Sequence, residues 1–360
     1  NERIKLIMAY TTINKSTEHF NTLAYAGNDG TNRSITGVGF KPDFTWFKDR
    51  SNAFNHYLFD VTRDGKTYYI SSNTSGSETA DTTSLKSMDS DGFTVGASAG
   101  VNGNNNNYAS WNWKASGSTT NDTTSGYLPN TQSVNDTAGF TVLKYTGNAT
   151  NTATNCGLST PLDVSITKRY DGTGDWFLWH RYNTGTTGRN YLVLNSTGAS
   201  QNSATIFQNV APSMDGSISA QFMGASSPIN ISGAAYISYG FSSRKGYSKF
   251  GSYVGNNNAD GVFIYTGFKP AFVIIKRSSA GENWSLYDNR RSGYNPQSLM
   301  LRPNTSDAEG SYATSDSIDF VSNGFKIRTS GTALNDGTYI YMAFAEAPLV
   351  GTNNVPATAR

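Results

Sequence analysis

The sequence predicts an all-β protein made of three tandem antiparallel β-sandwich domains of the jelly-roll or lectin-like kind. Three observations predict it. One segment is written three times, each copy is a run of short aromatic strands, and no helical periodicity of any length appears. The third copy reads Tyr265-Thr266-Gly267-Phe268-Lys269-Pro270-Ala271-Phe272-Val273-Ile274-Ile275-Lys276. The first reads Val38-Gly39-Phe40-Lys41-Pro42-Asp43-Phe44-Thr45-Trp46-Phe47-Lys48, and a weaker middle copy runs from Gly157 through Pro161 to Lys168. Arrays of small domains build surfaces and assemblies more often than a single catalytic pocket.

The elements follow in order. Residues 1–17 form an N-terminal segment in which Met8 is the expected natural start, and 1–7 are too short for a signal peptide. The first repeat spans 18–114, the second 138–246 and the third 247–350, with a tail at 351–360. Each opens on an aromatic residue and a Gly-Asn turn: Tyr25 to Asn28, Tyr145 to Asn148 and Tyr253 to Asn256. Gly and Asn there are read as residues that tolerate positive φ. The Phe-x-Pro segment comes next. Proline cannot donate to a central ladder, so it belongs at the start of a strand. In that strand Phe44, Trp46 and Lys48 share one face, as do Phe272, Ile274 and Lys276. A second strand ends Leu58-Phe59-Asp60, Leu178-Trp179-His180 or Leu286-Tyr287-Asp288. Asp91-Gly92-Phe93 and Asn323-Gly324-Phe325 mark a late hairpin. The closing strands are aromatic: Tyr108 to Trp113, Tyr236 to Phe241 and Tyr339 to Phe344.

Residues 115–137 are Ser, Thr, Asn and Gly with little apolar content, and read as a linker. The first repeat is therefore expected to be tethered and independently oriented, and the second and third to form a rigid pair.

Composition narrows the partners. Of 360 residues 36% are apolar, only 15% are charged, and the formal net charge is +2. Without a basic stripe, nucleic acid is not an expected partner. No stretch approaches the roughly 20 apolar residues of a membrane span, so no membrane is expected. The single cysteine, Cys156, excludes an internal disulfide and reads as a small core residue. The six tryptophans read as core, with Trp111 and Trp113 on one buried face. The run Asn102 to Asn107 offers an exposed contact surface or a solvated turn.

Catalytic chemistry is sparse. Three histidines (His19, His56, His180) show no metal-ligand spacing, and no nucleophile elbow or phosphate loop occurs. The glutamates occupy no matched positions. Asp89-Ser90-Asp91-Gly92 reads as a turn, since a calcium loop needs a distal carboxylate. No catalytic residue, cofactor or metal is expected. One constellation recurs: Lys48 and Asp60 keep the same offsets from Pro42 that Lys276 and Asp288 keep from Pro270. These are expected to form structural ion pairs across a sandwich rim, although His180 replaces the acid in the middle copy.

The opening Met8 to Ser16, the segment Gly39 to Lys48, Asp89 to Gly96, Gly246 to Tyr253 and the ending Tyr341 to Pro348 together resemble a family. It is the tandem-repeat β-domain virion structural proteins, tail-fibre-like, of marine tailed bacteriophages. The resemblance covers nearly the whole chain from Met8 onward, and the middle repeat departs most from the pattern. It implies a non-enzymatic virion component, a fibre, appendage or capsid decoration, made in the host cytoplasm and residing in the extracellular particle. It implies as partners other copies of itself, in a trimer, ring or filament, and other virion proteins. The alternative is an adhesin binding host surface glycans.

Overall fold

The computed structural model describes residues 11–183, 189–207, 219–311 and 315–350. Short alternating segments rich in Tyr, Phe, Trp, Val and Ile suit a pleated, half-buried surface. Among the described residues the protein is all-β with antiparallel sheets, apart from a 3-10 turn at Ser16–Glu18 and one helical turn at Ala99–Asn102.

Three larger sheets share one strand order: opening, closing, proline, fourth. In the first these are Phe20–Ala26, Asn107–Trp113, Phe44–Asp49 and Tyr57–Asp60. In the second they are Phe140–Thr146, Ala235–Phe241, Val164–Arg169 and Trp176–His180, and in the third Ser248–Val254, Thr338–Pro348, Phe268–Arg277 and Ser285–Asp288. The last strand of every repeat is thus inserted between its first strand and its proline strand. That central place explains why the closing strands hold so many aromatic side chains. Pro42 and Pro161 precede their strands, whereas Pro270 lies within its strand at a shift of register.

One face of each larger sheet is covered locally. In the first repeat, Ile35, Phe93 and Val95 of a smaller sheet pack with Phe47 and Phe59. Comparable cores join Phe207 and Met223 to Leu143 and Trp179, and Phe320 and Phe325 to Val273 and Tyr287. The opposite faces of all three larger sheets meet in one common core. Trp46, Trp111 and Trp113 enter it from the first repeat, Trp176, Tyr239 and Phe241 from the second, and Phe272, Trp284 and Phe344 from the third. Rings touch across every boundary: Phe44 and Tyr239 at 4.2 Å, Trp113 and Phe272 at 5.8 Å, Phe241 and Phe344 at 5.7 Å. A gap of about 20 Å³ remains where the sheets converge, lined by apolar side chains of all three repeats. A lining without polar partners keeps such a gap dry.

This shared core overturns the tethered arrangement. Residues 115–137 are not a free linker: Thr120–Asp122 and Asn130–Asn135 add two strands to the edge of the second sheet. The outer strand, 120–122, is largely exposed and held by backbone pairing, whereas Asn130, Gln132 and Ser133 of the inner one are buried. The first repeat has no independent orientation, since Phe44 and Trp113 are packed on Tyr239 and Phe241. The N-terminal segment is docked as well: Ile13 lies in the common core, and the Thr11 hydroxyl donates to Lys245 O at 2.6 Å. The Met8 start and the 351–360 tail lie outside the described residues.

The Gly-Asn turns are built alike three times, with one correction. Positive φ falls on the residue after the pair: Asp29, Ala149 and Asn257. The glycines are required by close approach instead. A Cβ at Gly27 would lie 2.0 Å from Gly103 O, and one at Gly147 2.3 Å from Ile231 O. Each turn is anchored by a buried asparagine. Asn102, Asn230 and Asn335 accept the backbone N–H of Asn28, Asn148 and Asn256. Stacked tyrosines brace the same corners: Tyr25 on Tyr108, Tyr145 on Tyr236, and Tyr253 on Tyr339. Of the Asn-rich run, then, Asn102 is structural, while Asn104, Asn105 and Asn107 are exposed. All six tryptophans and Cys156 are buried.

Candidate functional site at the repeat joints

The proline strand carries apolar residues on both faces, and all six of Phe44–Asp49 are buried. Its alternation places Lys48 at the rim of the common core, and Lys168 and Lys276 occupy the equivalent positions. All three lysines are buried. A buried ammonium must be satisfied by acceptors. Lys48 Nζ donates to Asp49 O at 2.7 Å and to Ser306 O of the third repeat at 3.1 Å. Lys168 Nζ donates to Gly174 O at 2.8 Å and to Ser75 O of the first repeat at 3.0 Å. Lys276 Nζ donates to Arg277 O, Glu282 O and, at 3.1 Å, to Thr197 O of the second repeat. Each lysine therefore ties its own strand end to a neighbouring repeat. The direction is cyclic, first to third, third to second, second to first. Burial pulls all three ammonium groups down to about 8.

The expected Lys48–Asp60 and Lys276–Asp288 pairs do not form. Antiparallel pairing sets Phe44 opposite Asp60 and Phe272 opposite Asp288. Lys48 and Lys276 are four residues further along, about 13 Å away at the usual rise per residue. The acids meet arginines three residues on instead. Asp60 accepts from Arg63 Nε at 2.7 Å, and Asp288 from Arg291 Nε at 2.6 Å. The Asp-x-x-Arg spacing was present in the sequence, and that signal identifies the true partners.

Each acid also receives a ring donor from another repeat. Tyr239 Oη donates to Asp60 Oδ2 at 2.9 Å, and Trp111 Nε1 donates to Asp288 Oδ2 at 3.0 Å. Tyr239 and Trp111 occupy equivalent positions of their closing strands. The third equivalent is Met342, which has no such donor. It belongs to the joint where the acid is replaced by His180 and the arginine by Asn183. His180 Nδ1 accepts Tyr182 N–H at 3.1 Å, so its proton sits on Nε2, which bonds Tyr341 O at 3.1 Å. Burial lowers the His180 imidazole to about 4.

A third ring position completes the joints. His56, Trp176 and Trp284 stand just before or at the start of their fourth strands. Trp176 Nε1 donates to Ser71 O at 2.8 Å, and Trp284 Nε1 to Val193 O at 3.3 Å. His56 Nδ1 accepts Trp46 Nε1–H at 2.8 Å, leaving Nε2–H for Arg302 O at 3.1 Å. Burial holds this imidazole well below its ordinary value, so it is neutral near pH 7.

Two glutamates do occupy matched places, contrary to the sequence reading. Glu78 pairs with Arg63, and Glu309 with both Arg291 and Arg50 of the first repeat. Glu309 N–H bonds Arg50 O and Glu78 N–H bonds Tyr170 O. Loops of unequal length hid the correspondence. Asp91 is a turn residue that accepts the N–H groups of Gly37 and Gly39. Among the described residues, no three His, Cys, Asp or Glu side chains are placed to hold a metal ion.

Over residues 15–348 the chain matches the family described as Domain of unknown function (DUF7483), and it belongs to that family. No curated protein and no solved structure matches it.

Proposed function

We propose that this member of the DUF7483 family is a non-enzymatic structural protein of a tailed-phage particle: a fibre, appendage or capsid-decoration component. In this reading the three repeats are jelly-roll or lectin-like sandwiches fused about one core, and they present surface rather than transform a substrate. One observation carries the proposal. At the joints, buried Lys48, Lys168, Lys276, Asp60, Asp288, His56 and His180 bond across repeats, so their chemistry goes into rigidity. The resemblance carried by Gly39 to Lys48 and Tyr341 to Pro348 supplies the virion context. Its partners are other copies of itself and other virion proteins, and it resides in the particle.

Protein composition and immunogold imaging of purified particles test this. The expected result is the chain in fixed stoichiometry, repeated along a thread, at a tail tip or over a shell. Absence from washed particles, or turnover of a polysaccharide by the pure chain, would contradict it. A second reading, a glycan-binding adhesin, is favoured by one observation: Phe263 and Tyr265 of the third repeat are about half exposed.

A further inference from the structure

The third repeat departs from the other two at one place on its surface. On the opening and closing strands the first repeat pairs Leu23 with Ser110, and the second pairs Leu143 with Ser238. The third pairs Gly251 with Tyr341. Bulk has moved from the opening strand to the closing strand, and the closing strand's hydroxyl now stands at the end of a ring. The Tyr341 ring lies against Gly251, where a Cβ would fall 2.6 Å from the hydroxyl oxygen. Tyr341 is only 3% exposed. The ring is buried, but its hydroxyl makes no hydrogen bond to another described residue and opens onto the surface.

Above Tyr341 lies an open groove of about 330 Å³, at the small end of the range for ligand clefts. Phe263 and Tyr265 form one side and are 48% and 47% exposed. The equivalent residues of the first repeat are Ser34 and Thr36. Tyr182 of the second repeat stands across from them, and Ser252 adds a hydroxyl. Lys249 sits at the edge, its Nζ bonded to Tyr265 O at 2.7 Å and 5.3 Å from that ring's centre. No carboxylate among the described residues pairs with it.

We propose that this groove binds an acidic saccharide, a uronic-acid unit of a glycan. Each part of the ligand has a counterpart. The apolar face of a pyranose lies on Phe263 and Tyr265, which bury area at little entropic cost. Its carboxylate meets the uncompensated charge of Lys249. A ring hydroxyl of the sugar bonds the Tyr341 hydroxyl, which opens onto the groove. Among the described residues the first and second repeats lack the aromatic side and the ring hydroxyl, so the described residues hold one such groove. This proposal deepens the adhesin reading and rests on it. It is independent of where the chain sits on a particle.

Calorimetric titration of the full chain with oligogalacturonate tests it, with the methyl-esterified oligomer as control. The ester keeps the ring faces and removes the charge. Binding of the acid at about millimolar ligand is expected, with the ester weaker by about tenfold, or about 1.4 kcal/mol. Lys249→Met should lower affinity for the acid to that of the ester and remove its salt dependence. Tyr265→Ala with Phe263→Ala should abolish binding of both, with the melting midpoint unchanged because both side chains are half exposed. No binding of either oligomer, equal binding of both, or unchanged affinity for the acid in Lys249→Met would overturn the assignment. Any of these would leave the particle-imaging result untouched.

Discussion

The joints of the first and second repeats differ from the joint of the third in one correlated set of residues. Where Tyr239 or Trp111 offers a ring donor, the facing residue is an aspartate with an arginine three positions on. Where Met342 offers none, the facing residue is His180, which bonds a backbone carbonyl. The difference teaches that the acid is not a repeat signature in itself. It is kept where a donor crosses the joint to meet it. A carboxylate facing Met342 would be a buried charge without its cross-joint partner, and such charges cost several kcal/mol.

The largest expected effect is the loss of one acid. Asp288→Ala takes from the buried Arg291 one of its two carboxylates, leaving Glu309, and removes the partner of Trp111; it should cost up to about 3–5 kcal/mol in urea denaturation. His180→Ala should cost about 1–3 kcal/mol, the scale of one broken buried hydrogen bond. Equal losses would erase the distinction between the joints. Grafting sharpens it. His180→Asp alone should destabilise the chain by several kcal/mol, and adding Asn183→Arg and Met342→Tyr should recover part of that loss. Purely additive losses would show that the three positions do not act together.

The pH dependence also separates the joints. His180 is held at about 4 against an ordinary 6.5. Below pH 6.5 the unfolded chain binds the extra proton, so stability falls from pH 6.5 down to about 4, by up to about 3 kcal/mol. His180→Gln should remove that part of the slope from the denaturation midpoints, while His56 retains its own. The lysines act in the alkaline range. Each is held at about 8 against an ordinary 10.5. Between those values the unfolded chain binds more protons, and stability rises with pH. Lys276→Met should flatten the rise, and near pH 7 should cost about 1–3 kcal/mol through the loss of its bonds to three carbonyl groups.

Much of the architecture was legible. Alternation located the strands, repetition located the repeats, and parity put Trp111 and Trp113 on a buried face. The common core was not legible, because alternation gives the faces of one strand and not what covers them. One clue lay in Phe44–Asp49, where Phe44 and Trp46 face one way and Phe47 the other, so both faces needed cover. The second sheet's added strands at 120–122 and 130–135 were invisible, since their residues are polar and read as linker even where, as at Asn130, Gln132 and Ser133, they are buried. At the joints, the matched Lys and Asp recur as the sequence shows, but they do not pair with each other. The antiparallel register separates them, and the arginine three residues on decides the matter.

The central claim is that shared packing and cyclic joints make the three repeats one cooperative body. Differential scanning calorimetry of the intact chain tests it most directly. The account predicts one transition, with calorimetric and van't Hoff enthalpies equal, which Asp288→Ala lowers as a whole. Separate transitions for the repeats, or a shift confined to one of them, would contradict it.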